Sequence, residues 1–193
     1  MTAWFAIAML APALAFGAGE RLVEGNPSST VRVLIFEDLQ CGDCAALRAM
    51  LDEKLLPRYA ATVAFEHRDF PLAKHACARK AAIAAHFFDR QSSGLGLKYR
   101  RAALAARYET KPENFAARLA AFAKSNSVDP QKAVAALDDP ELAALVEKDF
   151  QDGVARGVSH TPTAFVNGVP FVETFTFEEI SKAIEAALQE TRH

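Results

Sequence analysis

The chain has 193 residues, 51% of them hydrophobic, enough for one domain with a sizeable core and room for an insertion. Its formal net charge is −2 and no dense Lys/Arg cluster occurs, which excludes the electrostatic footprint of a nucleic-acid binder. Three cysteines are too few for a disulfide scaffold, and an odd number leaves one thiol over if two of them pair.

Trp4 to Phe16 is almost wholly apolar, and the first charged side chain is Glu20. Ala13-Leu14-Ala15 and Ala15-Phe16-Gly17 both offer the small residues that a signal peptidase needs, although no Lys or Arg precedes the apolar run. Residues 1–18 are therefore expected to be an export signal. An uncleaved anchor, which wants ~20 apolar residues, and a buried first element are the alternatives. Pro12 and the small residues near 17–19 favour cleavage. Export implies a periplasmic or secreted protein in an oxidising compartment, where disulfides persist. The polar, turn-rich stretch that follows, with Gly25-Asn26-Pro27-Ser28-Ser29, reads as a linker over 19–30, and the folded domain is expected over 31–193.

Val31, Val33, Ile35 and Phe36 predict a strand that stops at Glu37-Asp38-Leu39-Gln40. Cys41-Gly42-Asp43-Cys44 follows, and Leu47, Met50, Leu51 and Leu55 then fall on one helical stripe. Two cysteines thus sit where a strand hands over to a helix. A helix N-terminus presents unpaired N–H groups and about half a positive charge, and cysteine pKa values there fall to roughly 3.5–7.5. Cys41, at the exposed end, is placed to attack; Cys44, one turn in, is placed to resolve a mixed disulfide. Half of a zinc site and an inert structural bridge remain as other readings of the same spacing. Zinc wants a second ligand pair, and the remaining cysteine, Cys77, stands near His75 with no partner cysteine at short spacing.

Pro57 marks the expected end of this helix, and Thr62 to Arg68 predicts a second strand. From about 74 to 157 the pattern is helical throughout. His75–Phe88 and Lys98–Tyr108 are separated by the breaker Gln91-Ser92-Ser93-Gly94-Leu95-Gly96, and Pro112 opens a helix carrying Phe115, Leu119 and Phe122. Asp129-Pro130 and Asp139-Pro140 each read as an N-cap followed by proline at the first helical position. Gly157 is a helix stop. Strand signals then return: Thr163–Val166 and Val169–Val172 flank Asn167-Gly168, a strong hairpin turn, with Pro170 suited to an edge. Thr176 and Glu179 form a capping box for the last helix. The strand–helix–strand opening implies a parallel pair with a right-handed crossover, and the ending adds an antiparallel pair. The expected fold class is α/β: a mixed sheet with helices on both faces and an inserted all-helical subdomain.

These residues resemble the thioredoxin superfamily, and within it the exported DsbA-like thiol–disulfide oxidoreductases. The likeness is carried by Glu37-Asp38-Leu39-Gln40-Cys41-Gly42-Asp43-Cys44, by Arg68-Asp69-Phe70-Pro71-Leu72 with His75, and by Gly157 through Thr161-Pro162-Thr163 to Gly168. The resemblance implies a thioredoxin-like fold and a Cys41–Cys44 disulfide that oxidises reduced protein or peptide substrates. It also implies a membrane or soluble redox partner that recycles the pair, and no cofactor or metal. It further implies a cis peptide bond before Pro162, and a Thr161-Pro162 backbone that pairs with an extended substrate strand. Gly42 and Asp43 stand where many relatives have proline and a His or Tyr. Asp43, with help from Glu37 and Asp38, is expected to hold the Cys41 pKa above that of a His-bearing relative and to make the potential less oxidising than such a relative's. Ile35 occupies the place of thioredoxin's buried acid, leaving Glu37 as a candidate proton acceptor for Cys44. Cys77 is expected to be a buried apolar residue and His160 a solvated loop histidine. A reductase or isomerase, a non-catalytic peptide-binding module, and a metal chaperone using the pair with a histidine are the competing functions.

Overall fold

The computed structural model describes residues 22–191, so the export-signal reading of residues 1–18 lies outside the described residues. β1 is Val23–Gly25 and β2 is Arg32–Glu37. The helix after β2 begins as α1, Gly42–Met50, passes through a π-helical stretch at Leu51–Leu55 and ends as α2, Leu56–Tyr59. β3, Ala64–Asp69, precedes the helical insertion of α3 (Ala78–Gln91), α4 (Ser93–Ala105), α5 (Phe115–Ser125), α6 (Pro130–Ala135) and α7 (Pro140–Ala155). β4 (Thr163–Val166), β5 (Val169–Val172) and α8 (Phe177–Glu190) complete the chain.

The sheet runs β1-β3-β2-β4-β5. β2 and β3 are parallel; β4 lies antiparallel to β2, and β5 antiparallel to β4. Pro170 lies on the edge strand β5, where a missing N–H is harmless. Asn167 and Gly168 take φ of 44° and 93°, as the two-residue hairpin turn requires. Asp129 and Asp139 cap α6 and α7 through their carboxylates, and the Thr176–Glu179 capping box is formed.

Four local readings are corrected. Val23–Gly25, inside the expected linker, is a strand, because its backbone pairs antiparallel with β3. Pro57 does not end the first helix; it lies where the π-helical stretch Leu51–Leu55 gives way to α2, and the helix continues to Tyr59. The break after α3 is only one residue long, because Ser92 caps α4 directly by accepting from the Leu95 N–H. Pro112 lies in a turn, and α5 starts at Phe115.

One core lies between the sheet and the α1–α8 layer, joining Val33, Ile35, Leu47, Leu51, Phe65, Ile180 and Ile184. Each fully buried side chain of this kind contributes about 1.5–3 kcal/mol. A second core fills the insertion, with Phe88, Tyr99, Phe115 and Leu119, and it includes Leu39, Cys41 and Cys44. The cysteine pair therefore lies at the seam between body and insertion. The seam is closed at Gly153 of α7, where a Cβ would stand 2.6 Å from the Phe70 ring and 3.0 Å from that of Phe36. Glycine lets the helix axis approach the sheet that closely.

Candidate active site

Cys41 is the N-cap of α1, with extended backbone and no capping side-chain bond of its own. Its sulfur thus faces helix-end N–H groups that lack intrahelical acceptors. The Cys41 thiol is lowered from its ordinary 9.0 to about 5. Donation from the Cys44 thiol lowers it most, burial works against this, and the Thr161 hydroxyl and the N–H groups of Cys44 and Asp43 lower it further. Cys44 moves the opposite way, well above 9.0, chiefly because it is buried and then because it donates to Cys41. The two sulfurs are thus differentiated as a nucleophile and a protonated partner. Cys41 is less open than the sequence suggested: it is 6% exposed against 1% for Cys44, since the insertion and the loop before β4 cover it.

That loop holds Thr161 and Pro162, both buried, and the Thr161–Pro162 peptide is cis. The Cys41 thiol donates to the Thr161 carbonyl at 3.2 Å. Among the described residues the buried Thr161 hydroxyl has no hydrogen-bond partner, which leaves it free to donate to a thiolate. A cavity of about 340 Å³ opens beside Cys41, lined by Asp43, Leu72, Lys74, His160, Thr161 and Glu173 among others. His160 is exposed, its ring bonded to Ser159 Oγ at 2.9 Å.

Asp38 fastens the lead-in. Its N–H donates to Cys44 Sγ at 3.3 Å, and its buried carboxylate accepts from the N–H groups of Gln40 and Leu72 and contacts His75 Nδ1 at 2.8 Å. Gln40 spans the seam: its Oε1 accepts from the Cys77 N–H at 2.6 Å and its Nε2 donates to the Thr110 carbonyl at 3.1 Å. Cys77 is buried, and burial pushes its thiol up, the behaviour of an apolar core residue.

Gly42 and Asp43 form the first turn of α1, with Asp43 exposed. Glu37 is buried and turned away from solvent. His67 Nδ1 is 3.0 Å from its carboxylate and Arg100 3.4 Å, and its charge contributes to raising Cys44. Glu37 belongs to a network that sequence reading missed. His67 Nε2 meets Glu24 at 2.9 Å, Arg48 pairs with the same Glu24, and Arg100 grips Asp69 through both Nη atoms at 2.8 and 3.1 Å. Burial raises Glu37 and Asp69, but the neighbouring cations outweigh it and both sit below the usual carboxylate range. His67, which burial alone would lower, is held up at about 9 by Glu37 and Glu24. Asp69, His86 and Asp149 bring ligand-type atoms within 4.8 Å of one another, but Arg100 and Arg68 balance the two carboxylates, so this cluster is the far end of the ion network.

A family model described as thioredoxin matches residues 18–186. Among curated proteins none matches. Several solved structures share the fold. Oxidised BdbD from Bacillus subtilis superposes with a TM-score of 0.78 at 22% identity, covering 88% of this chain and 93% of its own. Wolbachia pipientis alpha-DsbA1 gives 0.76 at 16% identity, covering 89% and 92%. The thiol-disulfide exchange protein alpha-DsbA2 from the same organism gives 0.74 at 20% identity, covering 86% and 87%. The expected architecture, a thioredoxin-like sheet with a DsbA-type helical insertion, is thus the observed one.

Proposed function

The chain belongs to the thioredoxin family, and from that premise we propose that it is an exported thiol–disulfide oxidoreductase working mainly as a dithiol oxidase. One observation carries the reading: Cys41, at the head of α1, is lowered to about 5 while Cys44 beside it is raised. A stabilised Cys41 thiolate makes it a good leaving group and favours the reduced enzyme, so the oxidised pair is a strong oxidant. The relatives in fold support the same chemistry, one of them being named a thiol-disulfide exchange protein.

In the oxidised enzyme, a substrate thiolate attacks Cys41 Sγ. The Cys41–Cys44 bond breaks, and Cys44 leaves and takes a proton, as its raised pKa favours. A second substrate thiolate then attacks the substrate sulfur of the mixed disulfide and expels Cys41 as its thiolate. The substrate gains a disulfide and the enzyme holds the two electrons, which a redox partner removes. The Thr161-Pro162 backbone, beside Cys41, aligns the substrate strand, while Gly42, Asp43 and Glu37 tune the pair. The apolar segment before residue 19 is the export signal, and the protein works in the periplasm or outside the cell. Among the described residues no helix is long and apolar enough to cross a membrane.

Equilibration with glutathione buffers, with oxidation of a dithiol peptide followed alongside, tests the proposal. A potential well above the roughly −270 mV of thioredoxin and Cys41-dependent oxidation are expected. A value at or below that level makes the protein a reductase or isomerase, and no exchange in either direction leaves only a peptide-binding module.

A further inference from the structure

We propose that Tyr108 is a substrate-positioning residue that selects polypeptides carrying an apolar or aromatic side chain next to the reacting cysteine; this rests on the thiol-exchange reading above. Tyr108 lies in the turn after α4 and is 68% exposed, yet its hydroxyl reaches the active-site dipeptide. A Cβ built on Gly42 would stand 2.8 Å from Tyr108 Oη and 3.9 Å from Cζ. The side chain therefore points its hydroxyl at the residue between the two cysteines, in space that only glycine leaves open, and its ring stands beside them.

Its pose is held from several sides. The Arg107 guanidinium covers one ring face at 4.2 Å, and is itself fixed by donating to the Leu104 carbonyl. The turn is closed by the Glu109 and Thr110 N–H groups on the Ala106 carbonyl, with the Thr110 hydroxyl joining them. Gln40, one residue before the nucleophile, ties the Thr110 carbonyl down. A braced tyrosine with so much open surface suits transient contact with an unfolded chain: two χ angles to order, an apolar face and a polar tip. A substrate sulfur that reaches Cys41 brings its neighbouring side chains within range of this ring, while the charged cavity on the Thr161 side receives the rest of the strand.

The test compares two dithiol peptides, alike except for Phe or Ser beside one cysteine, in turnover assays. It also compares fluorescently labelled Ser-for-Cys versions of both by anisotropy, which needs no chemistry. The wild type should bind the Phe peptide about 2- to 10-fold better, as an aromatic pair implies, with the difference in KM and not in kcat. Tyr108→Phe should keep the preference and Tyr108→Ala should level the two peptides, while the Cys41 thiolate titration stays in place in both variants. Gly42→Ala, which pushes the hydroxyl aside, should weaken the preference in the wild type and have no effect on it in Tyr108→Ala. Equal binding of the peptides by the wild type, or a preference that survives Tyr108→Ala, overturns the proposal. Anisotropy that shows the preference in a protein without turnover upholds Tyr108 and instead removes the exchange function.

Discussion

The molecule places charge in its interior in two different ways, and the contrast is instructive. Around Glu24, Glu37, His67, Asp69 and Arg100, ionised groups of opposite sign satisfy one another across β1, β2, β3 and α4. Around Cys41 the forming anion is met by neutral donors: a thiol, a hydroxyl and helix-end N–H groups. A fully paired network fixes how the insertion sits on the sheet. A sulfur held by neutral donors can gain and lose its charge without breaking an ion pair, so it remains reactive. The first arrangement governs stability and the second reactivity.

Substitutions should separate them. Arg100→Met leaves Asp69 and Glu37 buried without their shared cation and is expected to cost about 3–5 kcal/mol in denaturant unfolding. Its Cys41 titration, followed by thiolate absorbance, should move little. A variant in which both change together would mean that the two regions act as one. On the thiol side, Cys44→Ala removes the largest support of the Cys41 anion and should raise the Cys41 pKa. Thr161→Val should raise it by less, and neither should alter unfolding as much as Arg100→Met does.

The pH dependence is subtler, and between pH 6.5 and 9 it has opposite signs in the two regions. His67, raised from 6.5 to about 9, contributes stability that is complete below 6.5 and lost as pH climbs through 9. Glu37 and Asp69, depressed from 4.5 and 3.8, contribute above those values and lose it in more acid solution. The oxidised protein should therefore be most stable between about pH 5 and 6.5. Reduced Cys41, depressed from 9.0 to about 5, adds a term that is complete above 9 and vanishes as pH falls through 5. Melting curves of both redox forms should show the reduced form gaining on the oxidised one from pH 5 to 9. Parallel curves would mean that Cys41 is not perturbed.

Much of the fold was legible because its signals are local. The strand leading into the Cys41 helix, the Asn167-Gly168 turn, the aspartate caps and the Thr176–Glu179 box each lie within a few residues of what they control. The network was not legible, since its partners come from segments far apart: Glu24 meets His67 across 43 residues and Glu37 meets Arg100 across 63. Glu24 lies, moreover, in a stretch whose glycine, proline and serines read as loop, and only pairing with β3 makes it a strand. A buried run of Glu66, His67 and Asp69 in a sheet strand was the one available hint of countercharges elsewhere. Tyr108 escaped notice for a similar reason, because periodicity assigns it to the end of a helix and gives no sign that the following turn folds back over Gly42.

The Gln40 amide carries a consequence for how this protein tolerates change. An amide has one accepting and one donating end, and here each is used once, on main chain at the start of α3 and after the turn that follows α4. Glutamate would set like dipoles against the Thr110 carbonyl, and lysine would leave the Cys77 amide hydrogen unmet. The side chain thus works as a rivet: drift of either helical end must strain it, and with it the peptide that carries the nucleophile.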